Sequence, residues 1–311
     1  MDKATLKQMQ QYPLWMKVEK TKRRIREWYE YWDGEVYVSY SGGKDSTVLL
    51  HIARQVYPDI PAVFCNTGVE YPEVLKLVKQ QSNLVILRPK KPFHKVIKEY
   101  GYPVISKEVA HKIGIVQRNG KDCKTARYFD STIDNLKYDC CHYSYLLDAP
   151  FKISDRCCYY LKEQPVTQYE RQTGNHPILG LMASESQRRE RAYIGNGGCN
   201  AFNNSRPIST PIGFWTEQDV FQYIVENNIK IPTVYGDIVK DIEGKYYTTK
   251  LSRTGCMYCP FGVQKEKYPN RYQRLQHSHP KHYEFMLNKL GFKQVFEYCH
   301  IDYKDRQKRL F

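Results

Sequence analysis

The run Ser39-Tyr40-Ser41-Gly42-Gly43-Lys44-Asp45-Ser46 constrains this chain more than any other stretch. It stands at a corner. Glu35-Val36-Tyr37-Val38 before it is β-branched and aromatic enough to predict a strand. Thr47, Val48, Leu49, Leu50, Ile52, Ala53 and Val56 after it recur at helical spacing. Two glycines at such a corner let the backbone bend sharply and bring its N–H groups close to a ligand. The positive N-terminal end of the following helix then favours an anion such as phosphate. Lys44 adds a mobile positive charge, and Ser41 and Ser46 add hydroxyl donors.

Strand and helix patterns alternate from Val36 onward. Strands are predicted over Ala62–Cys65, Leu84–Leu87 and residues 177–182, with a helix over residues 73–80. Such alternation predicts a parallel sheet with helices on its faces, and ligands bind at the carboxyl ends of its strands. The glycine corner, Asn66-Thr67-Gly68 and Ala183-Ser184-Glu185-Ser186 all follow predicted strands, so all three are expected to border one crevice. A further helix starts after Trp215, with Thr216 as N-cap, Asp219 three residues on, and Val220, Phe221, Ile224 and Val225 on its apolar face. Residues 1–33 read as a basic helical segment whose aromatic side packs on the domain and whose charged side is solvated. Residues 34–235 read as one α/β domain, and 236–311 as a C-terminal extension. Residues 100–165 are polar and cysteine-rich, with no clear assignment.

Composition narrows the function classes. No apolar run is long enough to span a membrane, and residues 1–20 are polar, unlike a secretory signal. Ten cysteines in that context predict free thiols or metal ligation in a reducing, cytoplasmic compartment, not disulfides. A formal net charge of +15 favours an anionic partner, either nucleic acid or a nucleotide.

The cysteines pattern as well. Cys157-Cys158 is an adjacent pair, and Cys256-Met257-Tyr258-Cys259 is a C-x2-C pair. Together they supply four soft thiolates, which suits an iron–sulfur cluster or tetrahedral zinc. Cys140-Cys141-His142 is a second soft group. Cys199 follows a glycine-rich loop, Cys65 ends a strand and reads as buried, and Cys123, in a polar stretch, is assigned no role.

The glycine corner is not a Walker A loop, because Val38 stands where that motif needs its first glycine. It resembles the PP-loop, Ser-Gly-Gly-x-Asp-Ser, of the ATP pyrophosphatases. Cys157-Cys158-x-x-Leu161-Lys162-x-x-Pro165 with Gly255-Cys256-x-x-Cys259 resembles the cysteine pattern of the phosphoadenylyl-sulfate (PAPS) reductase family. Asn66-Thr67-Gly68-x-Glu70-x-Pro72, Ala183-x-Glu185-Ser186-x-Arg188-Arg189 and Trp215-Thr216-Glu217-x-Asp219-Val220 resemble further segments of that family.

That resemblance implies a Rossmann-like α/β PP-loop fold, a parallel sheet with helices on both faces plus a small cysteine-containing C-terminal extension. It implies that Ser39, Ser41, Gly42, Gly43, Lys44, Asp45, Ser46, Asn66, Thr67, Gly68, Glu185 and Arg188 hold ATP. Mg²⁺ would sit near Asp45, and Cys157, Cys158, Cys256 and Cys259 would hold a [4Fe–4S] cluster, with zinc as the alternative. Lys44, Asp45 and Cys299 are the implied catalytic groups. Cys299, in Glu297-Tyr298-Cys299-His300, lies where reductases carry Glu-Cys-Gly-x-His, without that glycine or spacing. Reductases of ready-made adenylyl sulfates have a degenerate loop, whereas this one is intact. The motif state is closest to the ATP-dependent iron–sulfur sulfurtransferases of the DNA phosphorothioation type. The expected activity is therefore adenylation of a nucleic acid or nucleotide-like acceptor, with pyrophosphate release, followed by sulfur insertion. The expected donor is a cysteine desulfurase or a thioredoxin-like protein, and oligomerisation is left open. The alternative is a PAPS or adenylyl-sulfate reductase that releases sulfite with thioredoxin as electron donor.

Overall fold

Two helices open the chain, α1 (Lys3–Gln10) and α2 (Leu14–Tyr31), in a computed structural model that describes residues 1–133, 136 and 138–305. Asp2 caps α1 by accepting from the Thr5 N–H at 2.8 Å. In α2, Leu14, Lys17, Thr21, Ile25 and Trp28 recur every three or four residues and are all buried. The opposite face carries Arg23 paired with Glu27, and Lys22 paired with Glu19. Trp15 lies on that outer side, 66% exposed, so the aromatic residues of α2 are divided between both faces.

The chain then runs through β1 (Val36–Ser39), α3 (Lys44–Val56), β2 (Ala62–Cys65), α4 (Pro72–Val78), β3 (Leu84–Leu87), α5 (Phe93–Tyr100) and α6 (Lys107–Asn119). Next come α7 (Arg156–Cys158), α8 (Gln164–Thr173), β4 (His176–Leu179), α9 (Gln187–Gly195), β5 (Asn200–Ala201), β6 (Ile208–Ser209) and α10 (Glu217–Glu226). A hairpin of β7 (Ile238–Lys240) and β8 (Tyr246–Thr248) precedes α11 (Arg271–Ser278), α12 (Pro280–Glu284) and α13 (Phe292–Tyr298).

The described residues fall into two compact units. The first comprises residues 1–66, 70–88 and 165–255. Its sheet has the order β3-β2-β1-β4-β6-β5, and only the β5–β6 pair is antiparallel. Successive strands step outward from β1 to β3, and the chain then returns to the other side of β1 at β4. That reversal makes the carboxyl end of β1 a switch point, where an open α/β sheet leaves a crevice. The strands are short, and the apolar residues of the inner strands β1, β2 and β4 are buried on both faces: Val36, Tyr37, Val38, Ala62 and Ile178 are all 1% exposed or less, whereas Ile86 of the edge strand β3 is 43% exposed.

The second unit comprises residues 67–69, 89–164 and 256–311. It is a helical assembly around an aromatic core. Phe292 lies with its ring centroid 6.2 Å from Phe93, 5.2 Å from Tyr102 and 5.3 Å from Phe296. Much of the stretch left unassigned from sequence is α6 with irregular and 3-10 turns. It is tied down by backbone bonds such as Tyr102 N–H to Lys152 O (2.8 Å) and Ser154 N–H to Tyr102 O (3.0 Å). Among the described residues, no helix is long and apolar enough to cross a membrane.

Two local features fix the corner after β1. Gly42 has φ +72°, and a Cβ there would meet Val74 Cγ1 and Val78 Cγ2 of α4, each at 2.7 Å. Both the left-handed backbone and the closeness of α4 therefore demand glycine. Gly42→Ala is expected to cost about 3 kcal/mol from backbone strain plus overpacking, read as a lower denaturant midpoint with an unchanged slope. On the inner face of α2, the Lys17 ammonium lies 2.6 Å from Asp219 Oδ2, with the lysine side chain 2% exposed. Lys17→Met leaves Asp219 without its counter-ion and is expected to cost about 3 kcal/mol in the same measurement.

Candidate functional site

The corner residues form a hydroxyl-lined turn. Gly43 is the N-cap of α3. The amides of the first turn of a helix have no intrahelical acceptor, so they need other partners. Here hydroxyls supply some of them. The Gly43 N–H donates to Ser41 Oγ (3.3 Å), the Ser41 N–H donates to Ser46 Oγ (3.2 Å), and the two serine oxygens are 3.0 Å apart. The Lys44 N–H donates to the Tyr235 hydroxyl at 3.2 Å. Ser39 closes β1 just before this turn. A Cβ on Gly180, at the end of β4, would lie 3.2 Å from Ser46 Cα, so β4 approaches the start of α3 closely.

Lys44 is the electrostatic centre of this turn. Its residue is 2% exposed, and its ammonium lies 3.0 Å from Glu217 Oε1 and 3.5 Å from Asp45 Oδ1. It also donates to Ser252 O at 3.4 Å and sits over the Phe221 ring at 5.5 Å from the centroid. Burial works against its charge, but Asp45 and Glu217 more than offset this and hold its pKa above the usual lysine value. Burial raises the Asp45 carboxyl above its ordinary value, with Lys44 pulling against the rise and Glu217 adding to it. Asp45 Oδ1 is buried, with the Lys44 ammonium 3.5 Å away and no well-formed hydrogen bond to satisfy it. A hard cation suits such an oxygen, so Mg²⁺ fits this position by donor chemistry.

Arginines stand nearby in the first unit. Glu185 Oε1 accepts from the Met182 N–H at 3.1 Å and pairs with Arg189, while Arg253 Nη1 lies 3.8 Å from its other oxygen. Burial and the neighbouring Arg253 both lower the pKa of Arg189. Ser186 caps α9 by accepting from the Arg189 N–H at 3.2 Å, and Arg188 is exposed in that first turn. Asn66 closes β2, its N–H donating to Leu87 O at 2.9 Å. Thr67 and Gly68 belong to the second unit, where Thr67 is 2% exposed and Gly68 has φ +77°. Sequence reasoning missed Glu217, Tyr235, Ser252, Arg253 and Thr254 as members of the site. The one signal was the polar run Ser252-Arg253-Thr254, directly before Gly255-Cys256.

All four paired cysteines lie in the second unit. Cys157 and Cys158 share a hydrogen bond that raises the Cys157 pKa and lowers that of Cys158, so the pair favours one thiol and one thiolate. Cys256 and Cys259 are close enough to add to the rise at Cys157. Burial first, then Cys256 and Cys158, pushes Cys259 up to about 12. Lys107 and Lys162 favour the Cys158 thiolate, and Arg271 acts likewise on Cys259. The C-x2-C turn is anchored by Met257 N–H to Val69 O (2.7 Å) and by Arg271 Nη1 to Cys259 O (2.9 Å). The four thiols are within electrostatic reach of one another and have cations beside them, the soft donor chemistry that thiophilic metals take. Among the described residues, no three His, Cys, Asp or Glu side chains converge closely enough to hold a single metal ion.

The other cysteines lie elsewhere. Cys299 caps the end of α13 at 4% exposure, and burial pushes its thiol up to about 12. Cys199 is buried in the first unit, 3.1 Å from the Tyr193 hydroxyl, and burial pushes it up to about 11. Cys140 Sγ is 3.7 Å from the Lys112 ammonium, yet burial keeps its pKa raised.

Comparison with known proteins gives this arrangement a family. An uncharacterised protein of Methanocaldococcus jannaschii is 31% identical over 277 residues, 83% of this chain and 52% of that protein. Sulfate adenylyltransferase subunit 2 of Shewanella sp. (strain ANA-3) is 27% identical over 202 residues, 63% of this chain and 58% of that protein. The chain thus spans between half and three-fifths of the length of these relatives. The crystal structure of PAPS reductase from Candida auris in a phosphate complex superposes with a TM-score of 0.41 and 16% identity, covering 72% of this chain and 89% of that one. The phosphoadenosine phosphosulfate reductase domain matches residues 35–114 and 129–261, from the strand before the glycine corner to just past the C-x2-C pair. With that match over more than half its length, the chain belongs to the PAPS reductase family of PP-loop proteins.

Proposed function

We propose that this protein is an ATP-dependent sulfurtransferase that adenylates a nucleic acid or nucleotide-like acceptor and then replaces the adenylate with sulfur. The single observation that carries this is the intact, basic turn around Lys44: a buried, strongly charged ammonium at the N-terminus of α3, beside amides held only by hydroxyls. Such a turn is suited to the leaving diphosphate of a triphosphate. An acceptor oxygen attacks the α-phosphorus, the bond to the bridging oxygen breaks, and pyrophosphate departs with the electron pair. A sulfur nucleophile then attacks the acceptor, and AMP leaves with the oxygen. Lys44 and the loop amides stabilise charge on the departing diphosphate, and Arg189 and Arg253 offer further positive charge to the nucleotide. Mg²⁺ near Asp45 would neutralise phosphate charge. Relatives named sulfate adenylyltransferase subunit 2 support adenylyl chemistry within the family.

Cys157, Cys158, Cys256 and Cys259 would hold a [4Fe–4S] cluster; zinc, the alternative, is disfavoured because among the described residues no three such side chains converge on a single ion. When bound, the cluster would supply soft, redox-active sulfur chemistry. A cysteine desulfurase or a thioredoxin-like protein is the proposed sulfur or electron donor. The alternative activity, release of sulfite from an adenylyl sulfate, is favoured by the name of the family domain itself.

These alternatives separate in one experiment. Protein purified without oxygen is assayed for iron and acid-labile sulfide, then incubated with ATP and candidate acceptors. AMP and pyrophosphate in equal amounts, lost in Lys44→Ala by about a hundredfold or more, are expected. Sulfite released from an adenylyl sulfate, with no pyrophosphate from ATP, overturns the sulfurtransferase in favour of the reductase.

Neither Cys299 nor Cys199 is assigned as the resting sulfur nucleophile. Both are buried, and thiols raised to about 12 and about 11 stay protonated at neutral pH. The thiolate fraction grows only as pH climbs toward those values. Alkylation of the native protein at neutral pH, mapped by mass spectrometry, is therefore expected to spare both until denaturant is added.

A further inference from the structure

We propose that the paired hydroxyls of Tyr235 and Thr254 form the far wall of the phosphate cradle and are direct ligands of the diphosphate. This rests on the ATP-cleaving function proposed above. Tyr235 OH and Thr254 Oγ1 are 2.8 Å apart. A Cβ built on Gly43 would meet Thr254 Oγ1 at 3.1 Å, Tyr235 OH at 3.3 Å and Ser41 Oγ at 3.3 Å. Three hydroxyl oxygens thus ring the bare α-carbon of the second loop glycine. Two of them come from more than 190 residues away in sequence.

The hairpin explains how they arrive together. The Lys250 N–H donates to Tyr235 O at 3.0 Å, and the Leu251 N–H donates to Val234 O at 3.3 Å. This closes the β7–β8 excursion, so that Ser252, Arg253 and Thr254 emerge beside Tyr235. All three then engage the loop or its surroundings. Ser252 O accepts from the Lys44 ammonium, Arg253 approaches Glu185, and Thr254 holds the tyrosine hydroxyl.

The hydrogen-bond chemistry points to a ligand role. Tyr235 accepts from the Lys44 N–H, an amide with no acceptor inside its own helix. A phosphate oxygen is a stronger acceptor for that amide than a phenol, because the bond is charge-assisted. When phosphate takes the amide, the neutral phenol retains its own proton and donates it to the same anion. Thr254 can do likewise, since a hydroxyl both donates and accepts. Burial raises the Tyr235 pKa, so the phenol is a neutral donor throughout the physiological range.

The test is calorimetric titration of this 311-residue chain with inorganic pyrophosphate and, separately, with AMP, using wild type, Tyr235→Phe, Thr254→Val and Lys44→Ala. The two hydroxyl deletions remove one oxygen with little change of shape, and matching circular dichroism and melting curves establish that they fold. Each is expected to weaken pyrophosphate binding about tenfold, the loss of one hydrogen bond to a charged group, while AMP binding stays within about twofold of wild type. If pyrophosphate binds wild type and depends on Lys44 but is indifferent to both hydroxyl deletions, this inference falls and the proposed function stands. If wild type binds no pyrophosphate, both fall together.

Discussion

The turn out of β1 depends on one missing side chain. Gly42 takes a left-handed backbone while pressed against Val74 and Val78 of α4, and only a residue without a Cβ satisfies both conditions. Everything that gives the first unit its chemical character follows from that bend. It swings the amides of Gly43 and Lys44 out at the carboxyl end of β1, at the point where the strand order reverses. It also sends Lys44 into the protein, where its charge has to be met by carboxylates. The fold and the site are therefore one constraint at this position.

The first turn of α10 meets two buried lysines at once. Glu217 faces the Lys44 ammonium, and Asp219, two residues on, faces Lys17 of α2. Asp219 also completes the capping box with Thr216, accepting from its N–H at 2.6 Å. One turn of helix thus fixes the N-terminal helical segment on one side and the glycine turn after β1 on the other. The Trp215 indole N–H donates to Thr21 Oγ1 at 3.0 Å, which adds a neutral bond to the same junction. Buried charges arranged in this way add little net stability, but they fix where each partner can sit.

Much of the first unit was legible in the sequence because its signals are local. Ala62–Cys65 and Leu84–Leu87 are strands with the bounds their β-branched runs suggested, and Thr216 with Asp219 marked the start of α10 correctly. The strand–turn–helix corner was readable for the same reason, since strand, glycines, lysine and helix are contiguous. Glu217, Tyr235, Arg253 and Thr254 were not readable as site members. Their contacts close loops of roughly two hundred residues or bridge separate motifs, and no periodicity records such pairings. The stretch from residue 100 to 165 was opaque because its turns follow tertiary hydrogen bonds, as at Tyr102 with Lys152 and Ser154, and not a repeating pattern. Cys157, Cys158, Cys256 and Cys259 were singled out from residue type and motif spacing, and all four lie in the second unit, where Cys256 and Cys259 contribute to the raised pKa of Cys157.

The two units are interleaved along the chain. The backbone passes between them at 66/67, 69/70, 88/89, 164/165 and 255/256, five times in all. Neither can be made as one uninterrupted gene fragment, so dissecting the protein by truncation would damage both halves. Evolution faces the same restriction: the thiol-bearing half cannot be shuffled onto another scaffold by a single recombination event. Innovation in such a chain is confined to point substitutions and to lengthening of surface excursions such as the β7–β8 hairpin.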